Sequence, residues 1–299
     1  NHGLESKILV SSNPEFLKEG DAINDFLKPD RIVIGSNFME SIKVAETLYR
    51  PICWKSNRVQ IVTPESAEII KYASNAFLAT KISFINEIAR LSDAVGADIE
   101  EIRKGIGADE RINPNFLYAG LGFGGSCFPK DVSGLARTFK KFNIESELTY
   151  ATLNTNKKQT DYFMQKIQTY YGKNLKNKQL AVWGLSFKPN TDDIRESKAI
   201  DLIKKLSPKV KTLMLYDPIA TNNAKQELAS IANIQFHKPA KSALRNSNGL
   251  LLCTEWKEFW SPPMEDLLPL KEKVIFDGRN IMDKSLLIKN GFNYIGIGK

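Results

Sequence analysis

Short apolar runs rich in β-branched residues alternate with helical patterns at both ends of the chain, and the middle of the chain has helical patterns only. Near the start, residues 7–12 and 31–36 predict strands with a helical stretch over 14–27 between them, and 58–63 predicts a further strand. These elements are too few for a stable sheet, so we interpret them as the remnant of a larger α/β domain.

The middle of the chain begins with one long helix. Its recurring apolar positions, at three, four and seven residue steps, are Ile70, Ala73, Phe77, Phe84, Ile88, Leu91 and Val95. Thr63 is a suitable N-cap, Pro64 suits the first turn, and Gly96 ends the pattern. A helix of about eight turns exceeds the needs of one small domain, so we expect it to connect domains or to pack against a partner subunit. Further helices are predicted over about 98–105, 131–142 and 146–171.

After Gly172 strands alternate with helices again. The predicted strands are 179–184, 212–217, 249–254 and 273–278, and the predicted crossover helices are 197–206 and 220–232. This alternation is typical of a parallel sheet covered by helices, which binds its ligands at the carboxyl ends of the strands. The sequence therefore predicts an α/β fold. A Rossmann-like parallel-sheet domain spans 173–299, a central long-helix dimerisation domain spans 65–172, and the N-terminal remnant spans 1–64.

Length and composition narrow the class of protein. The chain has 299 residues, of which 42% are hydrophobic and 25% charged, as is ordinary for a globular protein of more than one domain. No run approaches the roughly 18 apolar residues that a membrane span requires, and the first ten residues lack the layout of a secretory signal. We therefore expect a cytoplasmic protein that does not contact a membrane.

The net charge of +8 is unevenly distributed. Residues 1–172 contain 21 basic and 21 acidic residues, whereas 173–299 contain 21 basic and 13 acidic ones. The last part of the chain either faces something anionic or has a lysine-rich solvated surface, and the charge alone leaves both open. Because its lysines are not interleaved with aromatic residues, we do not expect it to bind nucleic acid.

Histidines and cysteines are few. His2 lies in the terminal tail, which leaves His237 as the only other imidazole, so proton transfer falls to carboxylates, lysines, a thiol or water. Three widely spaced cysteines without a C-x-x-C pair argue against a disulfide framework and against a metal site. Cys53 and Cys253 lie in apolar runs, which predicts core packing for both.

The glycine-rich stretch 120–125 matches G-x-G-x-x-G, but its context differs from a dinucleotide-binding turn. That turn needs a preceding strand and an uninterrupted helix after it, whereas Pro129 prevents a helix that starts at Gly125. We expect instead a loop that approaches a ligand closely and exposes Cys127. Lys130 and a helix starting near Asp131 both favour the thiolate form, which makes Cys127 a candidate nucleophile.

Two further pairs of polar residues are spaced four apart. Lys71 and Asn75 share one face of the long helix, where an ammonium and an amide can stabilise an oxyanion. Glu15 and Glu19 repeat the spacing within the predicted helix 14–27, where a solvated first turn is the simpler interpretation.

Six segments of the chain carry a family resemblance. They are N-P-E-F-L-K-E-G (13–20), K-Y-A-S-N-A-F-L-A-T-K-I-S-F-I-N-E (71–87), G-I-G-A-D-E-R-I (105–112), G-F-G-G-S-C-F-P-K-D (122–131), S-F-K-P-N-T-D-D-I-R-E-S (186–197) and F-D-G-R-N (276–280). In this order and spacing they closely resemble the UDP-glucose and GDP-mannose dehydrogenase family across nearly the whole chain. The F-P-K-D ending is more similar to the UDP-glucose branch.

The resemblance implies an NAD-dependent four-electron oxidation of UDP-glucose to UDP-glucuronate. A cysteine of the family traps the intermediate aldehyde as a thiohemiacetal, a second hydride transfer produces a thioester, and water hydrolyses it. Cys127 matches this nucleophile. Lys71 and Asn75 match the group that stabilises the alkoxide, Asp131 the residue that positions a water, and Glu15 the carboxylate implicated in hydrolysis.

The resemblance also implies residues that contact substrate and cofactor. The substrate residues are Phe16, Leu17, Arg111, Phe116, Tyr118, Phe123, Gly124, Phe187, Lys188 and Arg279, and the cofactor residues are Glu19, Lys130 and Arg195. Arg111 matches a residue that reaches the sugar nucleotide of a neighbouring subunit, which implies a homodimer or a higher homo-oligomer. The family's G-x-G-x-x-G turn for NAD has no counterpart, so a catalytically inactive, truncated module that binds the sugar nucleotide and dimerises is the alternative.

Overall fold

The structure is a computed structural model and describes residues 8–53 and 58–299. The chain divides into two compact units, Asn1–Ala76 and Phe77–Lys299, with the boundary inside one long helix. Within the described residues, no helix is both long and apolar enough to cross a bilayer.

The first unit contains a β-α-β motif. Its elements in chain order are α1 (Ala22–Leu27), β1 (Ile32–Gly35), α2 (Met39–Cys53), β2 (Val59–Val62) and the first turns of α3 (Pro64–Val95). Strands β1 and β2 are parallel, with Ile32 opposite Val59. All four residues of β1 are buried, and α2 with its 15 residues connects the two strands. The sequence pattern predicted both strands but not α2.

Two predictions for the first unit are wrong. Of the described part of the predicted strand 7–12, only Ser12 pairs, in an antiparallel bridge with Gly35, and Ile8 and Val10 are exposed. The predicted helix 14–27 begins only at Ala22, because Gly20 adopts a φ of 83° that a helix does not allow. Lys7, His2 and the rest of the opening residues lie outside the described residues.

The second unit begins with a bundle of helices. After the remainder of α3 come α4 (Ile99–Gly107), α5 (Phe128–Lys141) and α6 (Glu147–Tyr171). The predicted boundaries of α3, α4 and α6 are confirmed within two residues. Helix α5 begins three residues earlier than predicted, because Pro129 lies in the first turn of the helix, where its missing N–H costs nothing.

Helix α3 has a buried face and an exposed apolar row. Ala79, Ser83, Ile85 and Ala89 face the core, while Phe77 and Phe84 are 67% and 51% exposed. Leu91 and Val95 continue this exposed row towards the end of the helix. The helical periodicity is therefore confirmed, and part of the apolar row forms a stripe on the outside of this unit.

A six-stranded parallel sheet forms the rest of the second unit. Its strands are β3 (Gln179–Trp183), β4 (Thr212–Tyr216), β5 (Ile234–Phe236), β6 (Gly249–Leu252), β7 (Val274–Asp277) and β8 (Asn293–Ile295). The spatial order is β5-β4-β3-β6-β7-β8, and every neighbouring pair is parallel. The order reverses between β3 and β6, where ligands bind in sheets of this doubly wound type.

Helices cover both faces of this sheet. They are α7 (Lys198–Leu206), α8 (Thr221–Glu227), α9 (Ala240–Leu244), α10 (Met264–Leu267) and α11 (Lys284–Lys289). Alternate residues of β3 belong to two different apolar clusters: Leu180 and Val182 to one, Ala181 and Trp183 to the other. The Rossmann-like prediction for this part of the chain is therefore confirmed, and the sheet has a core on each side.

Candidate functional site

Buried amide side chains from two helices hold the glycine-rich loop 120–125 in place. The Asn86 side chain on α3 accepts a 2.8 Å hydrogen bond from the Gly120 N–H, and Gln159 on α6 donates to the Gly120 carbonyl. Asn156, also on α6, accepts from the Phe123 N–H at 2.7 Å and donates to its carbonyl at 3.0 Å. Both polar groups of these loop residues are thus satisfied, and the loop is a fixed element of the site.

The glycines of this loop are required by protein neighbours. A Cβ on Gly122 would lie 2.5 Å from the Asn156 Oδ1 atom, and the φ of Gly122 is 109°. A Cβ on Gly124 would lie 2.3 Å from the carbonyl oxygen of Glu196. Larger residues are therefore excluded here by the amide clamp and by the loop that follows β3. We predicted that no strand precedes this loop and that no helix starts at Gly125, and both predictions are confirmed.

The loop after β3 packs directly on the glycine-rich loop. The Gly125 N–H donates to the Arg195 carbonyl at 2.9 Å, and a Cβ on Gly125 would meet the Phe187 ring at 2.6 Å. Arg195 itself forms a bidentate pair with Asp193. The segments 122–131 and 186–197, which are far apart in sequence, thus form one surface at the carboxyl edge of the sheet.

Cys127 lies at the N-cap of α5 and is exposed. Its Sγ lies 3.7 Å from the Ser126 hydroxyl oxygen, and its carbonyl accepts from the Asp131 N–H at 2.8 Å. The exposed N-terminal amides of a helix favour negative charge at this position. An accessible thiol on a rigid loop is a geometry that suits a nucleophile.

The neighbours of Cys127 separate into a buried and an exposed side. Asp131 is 2% exposed and lies 3.2 Å from the Lys130 ammonium, whose side chain is 70% exposed. The rings of Phe116 and Phe123 both lie against Phe128, with centroids 6.2 and 6.0 Å apart. Phe116 also has a φ of 65°, which is rare for a bulky residue and is found preferentially at functional sites.

The carboxyl ends of β3, β6 and β7 supply the charged residues of this edge. Lys188 lies over the ring of Phe187, with 5.3 Å between the ammonium and the ring centroid. Arg279, which follows β7, pairs through Nε and Nη2 with the Glu255 carboxylate, which follows β6. The predicted cationic residues Lys188 and Arg279 are thus placed on one edge of the sheet, and Glu255 is an addition that the sequence did not reveal.

Two buried carboxylates fix the loops at this edge. Asp217, at the end of β4, accepts from the Leu185 and Ser186 N–H groups of the loop after β3 and from the Trp256 indole. Asp277, at the end of β7, accepts from the N–H groups of Arg279, Ile281 and Met282 and from the Tyr294 hydroxyl. Burial raises the pKa of Asp277, and these four donors oppose that increase.

In the first unit, Lys71 is anchored by the loop that contains Glu15. The Lys71 ammonium donates to the Glu15 carbonyl at 2.6 Å and to its carboxylate at 2.9 Å. The other carboxylate oxygen of Glu15 accepts from the Leu17 N–H at 2.7 Å, and Phe16 stacks under the Arg31 guanidinium at 3.9 Å. Four of the predicted site residues are therefore brought together within this unit.

Glu19 differs from its predicted position. Because helix α1 starts only at Ala22, Glu15 and Glu19 do not share a helical face, and Glu19 lies exposed in a turn. The interpretation of this pair as a solvated first turn is therefore wrong. Asn75 lies one turn after Lys71 on α3, as predicted, and is partly buried.

Two predicted substrate residues face solvent in the second unit. Arg111 has an 88% exposed side chain and pairs with Asp109, which raises the pKa of the guanidinium and lowers that of the carboxylate. Tyr118 is 57% exposed and stacks under the Arg103 guanidinium at 4.7 Å. Neither of these two contacts is with the glycine-rich loop.

The other two cysteines, Cys53 and Cys253, and His237 are interpreted as structural residues. Cys53 and Cys253 are 9% and 5% exposed, as predicted for core residues, and burial raises the pKa of the Cys253 thiol to about 12. Burial also lowers the pKa of His237. Cys127 is therefore the exposed one of the three cysteines.

Sequence reasoning missed the residues that position the site. Asn86, Asn156 and Gln159 are polar residues at buried helix positions, where a binary pattern predicts apolar ones. Asp217 and Asp277 each end an apolar strand. In a parallel sheet such a residue lies at the ligand edge, and this position was the available signal.

Comparisons with known proteins agree across the whole chain. Three models of the UDP-glucose/GDP-mannose dehydrogenase family match it: the NAD binding domain over 1–53, the central domain over 65–158 and the UDP binding domain over 181–284. UDP-glucose 6-dehydrogenases of Rickettsia felis and Rickettsia bellii are 41% and 42% identical to it over 290 residues, 97% of this chain.

The chain spans 64% of the Rickettsia felis protein and 67% of the Rickettsia bellii protein. A UDP-glucose dehydrogenase structure from Pyrobaculum islandicum superposes with a TM-score of 0.85 at 33% identity, covering 97% of this chain and 63% of that one. With the motifs, the loop geometry and these matches in agreement, the chain belongs to the UDP-glucose/GDP-mannose dehydrogenase family.

Proposed function

We propose that this protein is a UDP-glucose 6-dehydrogenase, which oxidises the sugar's primary alcohol to a carboxylate in two steps. The observation that carries the proposal is the exposed Cys127 thiol at the start of α5, on a loop clamped by buried amides. This loop packs against the segment 186–197, which lies inside the match to a UDP binding domain. A nucleophile beside a nucleotide site is what the reaction requires.

Cys127 acts as the covalent nucleophile. The alcohol loses a proton from oxygen and a hydride from carbon, and the thiol adds to the resulting aldehyde to form a thiohemiacetal. Loss of a second hydride from carbon and of the hydroxyl proton gives a thioester, and water then releases the carboxylic acid and the free thiol. Sulfur suits both steps, because it adds readily to a carbonyl and leaves readily from an acyl group.

The UDP portion binds at the carboxyl edge of the six-stranded sheet. Arg279 and Lys188 supply positive charge for the diphosphate, and Phe187 supplies an aromatic surface next to it. The position at the switch between β3 and β6 supports this assignment, since doubly wound sheets bind nucleotides there.

The family resemblance also assigns roles to Lys71 and Glu15 of the first unit. The family resemblance assigns the Lys71 ammonium to the oxyanion that develops on the sugar, with Asn75 beside it, and assigns Glu15 to the hydrolysis step. Their mutual hydrogen bonds hold the ammonium in one orientation, which a charge-stabilising group needs before the reaction starts. Asp131, buried one turn after Cys127, is assigned to a water at the reacting carbon.

NAD is the proposed hydride acceptor, and the residues of this chain fit it in part. The β1-α2-β2 unit has the parallel crossover of a nucleotide-binding fold, and Glu19, Lys130 and Arg195 are charged residues that the resemblance assigns to the cofactor. The sequence has one G-x-G-x-x-G match, and the structure places it in the Cys127 loop. We therefore assign no residue to the NAD pyrophosphate.

The exposed stripe on α3 supports a homodimer. Phe77, Phe84 and Leu91 recur every seven residues and are all more than half exposed, as expected for a helix that packs against a second copy. A Phe84→Asp variant is expected to elute as a monomer in size-exclusion chromatography where the unmodified chain elutes as a dimer. A variant at the exposed Leu148 of α6 serves as the matched control.

Reaction stoichiometry tests the proposed function directly. The chain is incubated with limiting UDP-glucose and excess NAD, and both NADH and UDP-glucuronate are quantified. Two NADH and one UDP-glucuronate per UDP-glucose are expected. UDP-glucose binding without NADH formation would contradict the oxidation and would favour a module that only binds the sugar nucleotide.

A further inference from the structure

The proposed diphosphate-binding arginine is itself held by an acidic residue to which the proposed reaction gives no role. Glu255 lies in the loop after β6, and one of its carboxylate oxygens accepts from both Nε and Nη2 of Arg279. The pair is mostly buried, with 19% of the Arg279 side chain and 29% of the Glu255 side chain exposed. Such a two-point contact fixes the plane of a guanidinium.

This contact directs the remaining end of the guanidinium at the glycine-rich loop. The Nη1 atom of Arg279 lies 3.1 Å from the position that a Cβ on Gly120 would occupy. Gly120 is itself fixed by Asn86 and Gln159, so the arginine and the loop that carries Cys127 have a defined separation. The Arg279 N–H is bound by Asp277, which fixes the backbone end of the same residue.

Glu255 has two opposite effects on the binding of an anion. Its negative charge weakens the attraction of Arg279 for a phosphate, whereas its hydrogen bonds remove the rotamer freedom that Arg279 would otherwise lose on binding. The carboxylate occupies Nε and Nη2 but not Nη1, which lies beside the glycine-rich loop, so it competes for the charge of Arg279 without taking all of its donors. In a half-buried site, the benefit of a fixed Arg279 orientation therefore exceeds the loss of attraction caused by the charge of Glu255.

We infer that Glu255 is a positioning residue for UDP recognition, acting through Arg279. The inference rests on the proposed function, in which Arg279 binds the diphosphate. The loop that carries Glu255 does not depend on this carboxylate: Thr254 donates to the Ser186 carbonyl at 2.7 Å, and the Trp256 indole donates to Asp217. A substitution of the Glu255 side chain therefore leaves the anchors of the loop intact.

A double-mutant cycle with UDP as the ligand tests this inference. UDP affinity is measured by calorimetry for the unmodified chain, Glu255→Ala, Arg279→Ala and the double variant, and melting temperature is measured for each. Glu255→Gln retains an acceptor for the guanidinium without the charge. Glu227→Ala removes the acidic partner of Lys204 elsewhere on the same domain and is the matched control.

We expect Glu255→Ala to weaken UDP binding about tenfold in the unmodified background and less than about twofold in the Arg279→Ala background. Glu255→Gln and Glu227→Ala should bind within about threefold of the unmodified chain. Tighter binding by Glu255→Ala would mean that charge competition dominates, and equal losses in both backgrounds would mean that Glu255 acts independently of Arg279. Either result overturns the inference.

The assay separates this inference from the proposed reaction. UDP binding does not require NAD or turnover, so a chain that binds UDP but forms no NADH contradicts only the proposed oxidation. A chain that does not bind UDP at all would overturn the assignment of Arg279 and that of Glu255 together.

Discussion

The edge formed by the amino ends of the six strands (the amino edge) and the edge formed by their carboxyl ends (the carboxyl edge) differ in how their charges are arranged. The segments that lead into the strands contain eight basic residues and one acidic residue, Glu272. The basic ones are Lys173, Lys176, Lys178, Lys209, Lys211, Arg245, Lys271 and Lys273. At the carboxyl edge, basic and acidic residues are nearly balanced, and two of the acidic ones, Asp217 and Asp277, are buried and hydrogen-bonded. The charge excess of this part of the chain therefore lies opposite the proposed UDP site.

Hydrogen bonds between the leading segments join them into one edge. The Lys211 N–H donates to the Lys178 carbonyl, Lys271 to Ser247, and Asn293 to the Lys273 carbonyl. Helices such as α7 and α11 end at this edge, where their C-terminal carbonyls favour cations. The structure thus provides a local reason for the lysines, and the interpretation as a lysine-rich solvated surface describes them better than the binding of an anionic substrate.

The carboxyl edge has its charges in fixed pairs and hydrogen-bonded clusters. Asp217 and the Glu255–Arg279 pair each connect two or more loops, and Asp277 connects the loop after β7 to strand β8. Net charge therefore did not indicate where the proposed UDP site lies. Buried carboxylates at the ends of strands mark that edge, because they hold its loops in place.

The largest expected effect belongs to the thiol itself. Cys127→Ala should reduce UDP-glucuronate formation by at least about a thousandfold, because no other exposed thiol is present among the described residues. UDP affinity should change less than about twofold, since the Arg279 side of the edge is untouched. Product analysis with Cys53→Ala as the control checks this prediction, and normal acid formation by Cys127→Ala would remove the thiol from the mechanism.

Asp277 should contribute most to the stability of the carboxyl edge. Asp277→Ala leaves three backbone N–H groups and the Tyr294 hydroxyl without their acceptor, so the free energy of unfolding should fall by about 3 kcal/mol or more. Denaturant unfolding measures the loss. Asp283→Ala removes an exposed helix cap with one hydrogen bond and should cost only about 1 kcal/mol. Equal losses for the two variants would contradict the central role of Asp277.

The glycine-rich loop should tolerate little change at Gly122. Gly122→Ala places a Cβ 2.5 Å from Asn156 and requires a positive φ, so we expect a loss of about 2 kcal/mol in stability. Cys127 should also react with a thiol reagent at an altered rate. Gly105→Ala in α4, where nothing lies within 4 Å of the new Cβ, should be neutral or stabilising by up to about 1 kcal/mol. Equal stability and equal thiol reactivity of the two variants would show that Asn156 does not exclude a Cβ at Gly122.

The smallest effect is expected at the amino edge. Replacement of Lys173, Lys176, Lys209 and Lys211 by glutamine should change UDP affinity less than about twofold at physiological salt. Strand β3 separates the two edges by about 16 Å, roughly two Debye lengths. UDP is titrated into this variant and into Lys188→Gln at two salt concentrations. A loss of UDP affinity as large as that of Lys188→Gln would indicate that the anion site lies at the amino edge.

The sequence predicted most of the longer elements, though not the 15-residue helix α2, and it predicted a candidate nucleophile. Strands β3, β4, β6 and β7 have at least four residues with mostly buried side chains, so apolar runs revealed them, whereas β5 and β8 have three residues each, two of them partly buried and one exposed. Cys127 was predicted because its glycine-rich context is unusual. Glu255 was not, because its importance depends on a contact with a residue 24 positions away, which no local pattern encodes.

The orientation of the long helix could not be predicted from periodicity. The spacing of Phe77, Phe84 and Leu91 indicates a helix but does not reveal which side faces the core. In this unit Ala79 and Ala89 face inward, because small side chains allow neighbouring elements to approach. Likewise, the buried amides Asn156 and Gln159 resemble surface positions until their partners in the glycine-rich loop are known.

The most direct test of the central claim is to identify the bond between the protein and the substrate. The chain is mixed with UDP-glucose and NAD, quenched in acid during turnover, digested and analysed by mass spectrometry. We predict an acyl adduct of the UDP-sugar on the peptide that contains Cys127, and no adduct in Cys127→Ala. Acid formation at the full rate with no adduct on Cys127, or an adduct on another residue, would contradict the account.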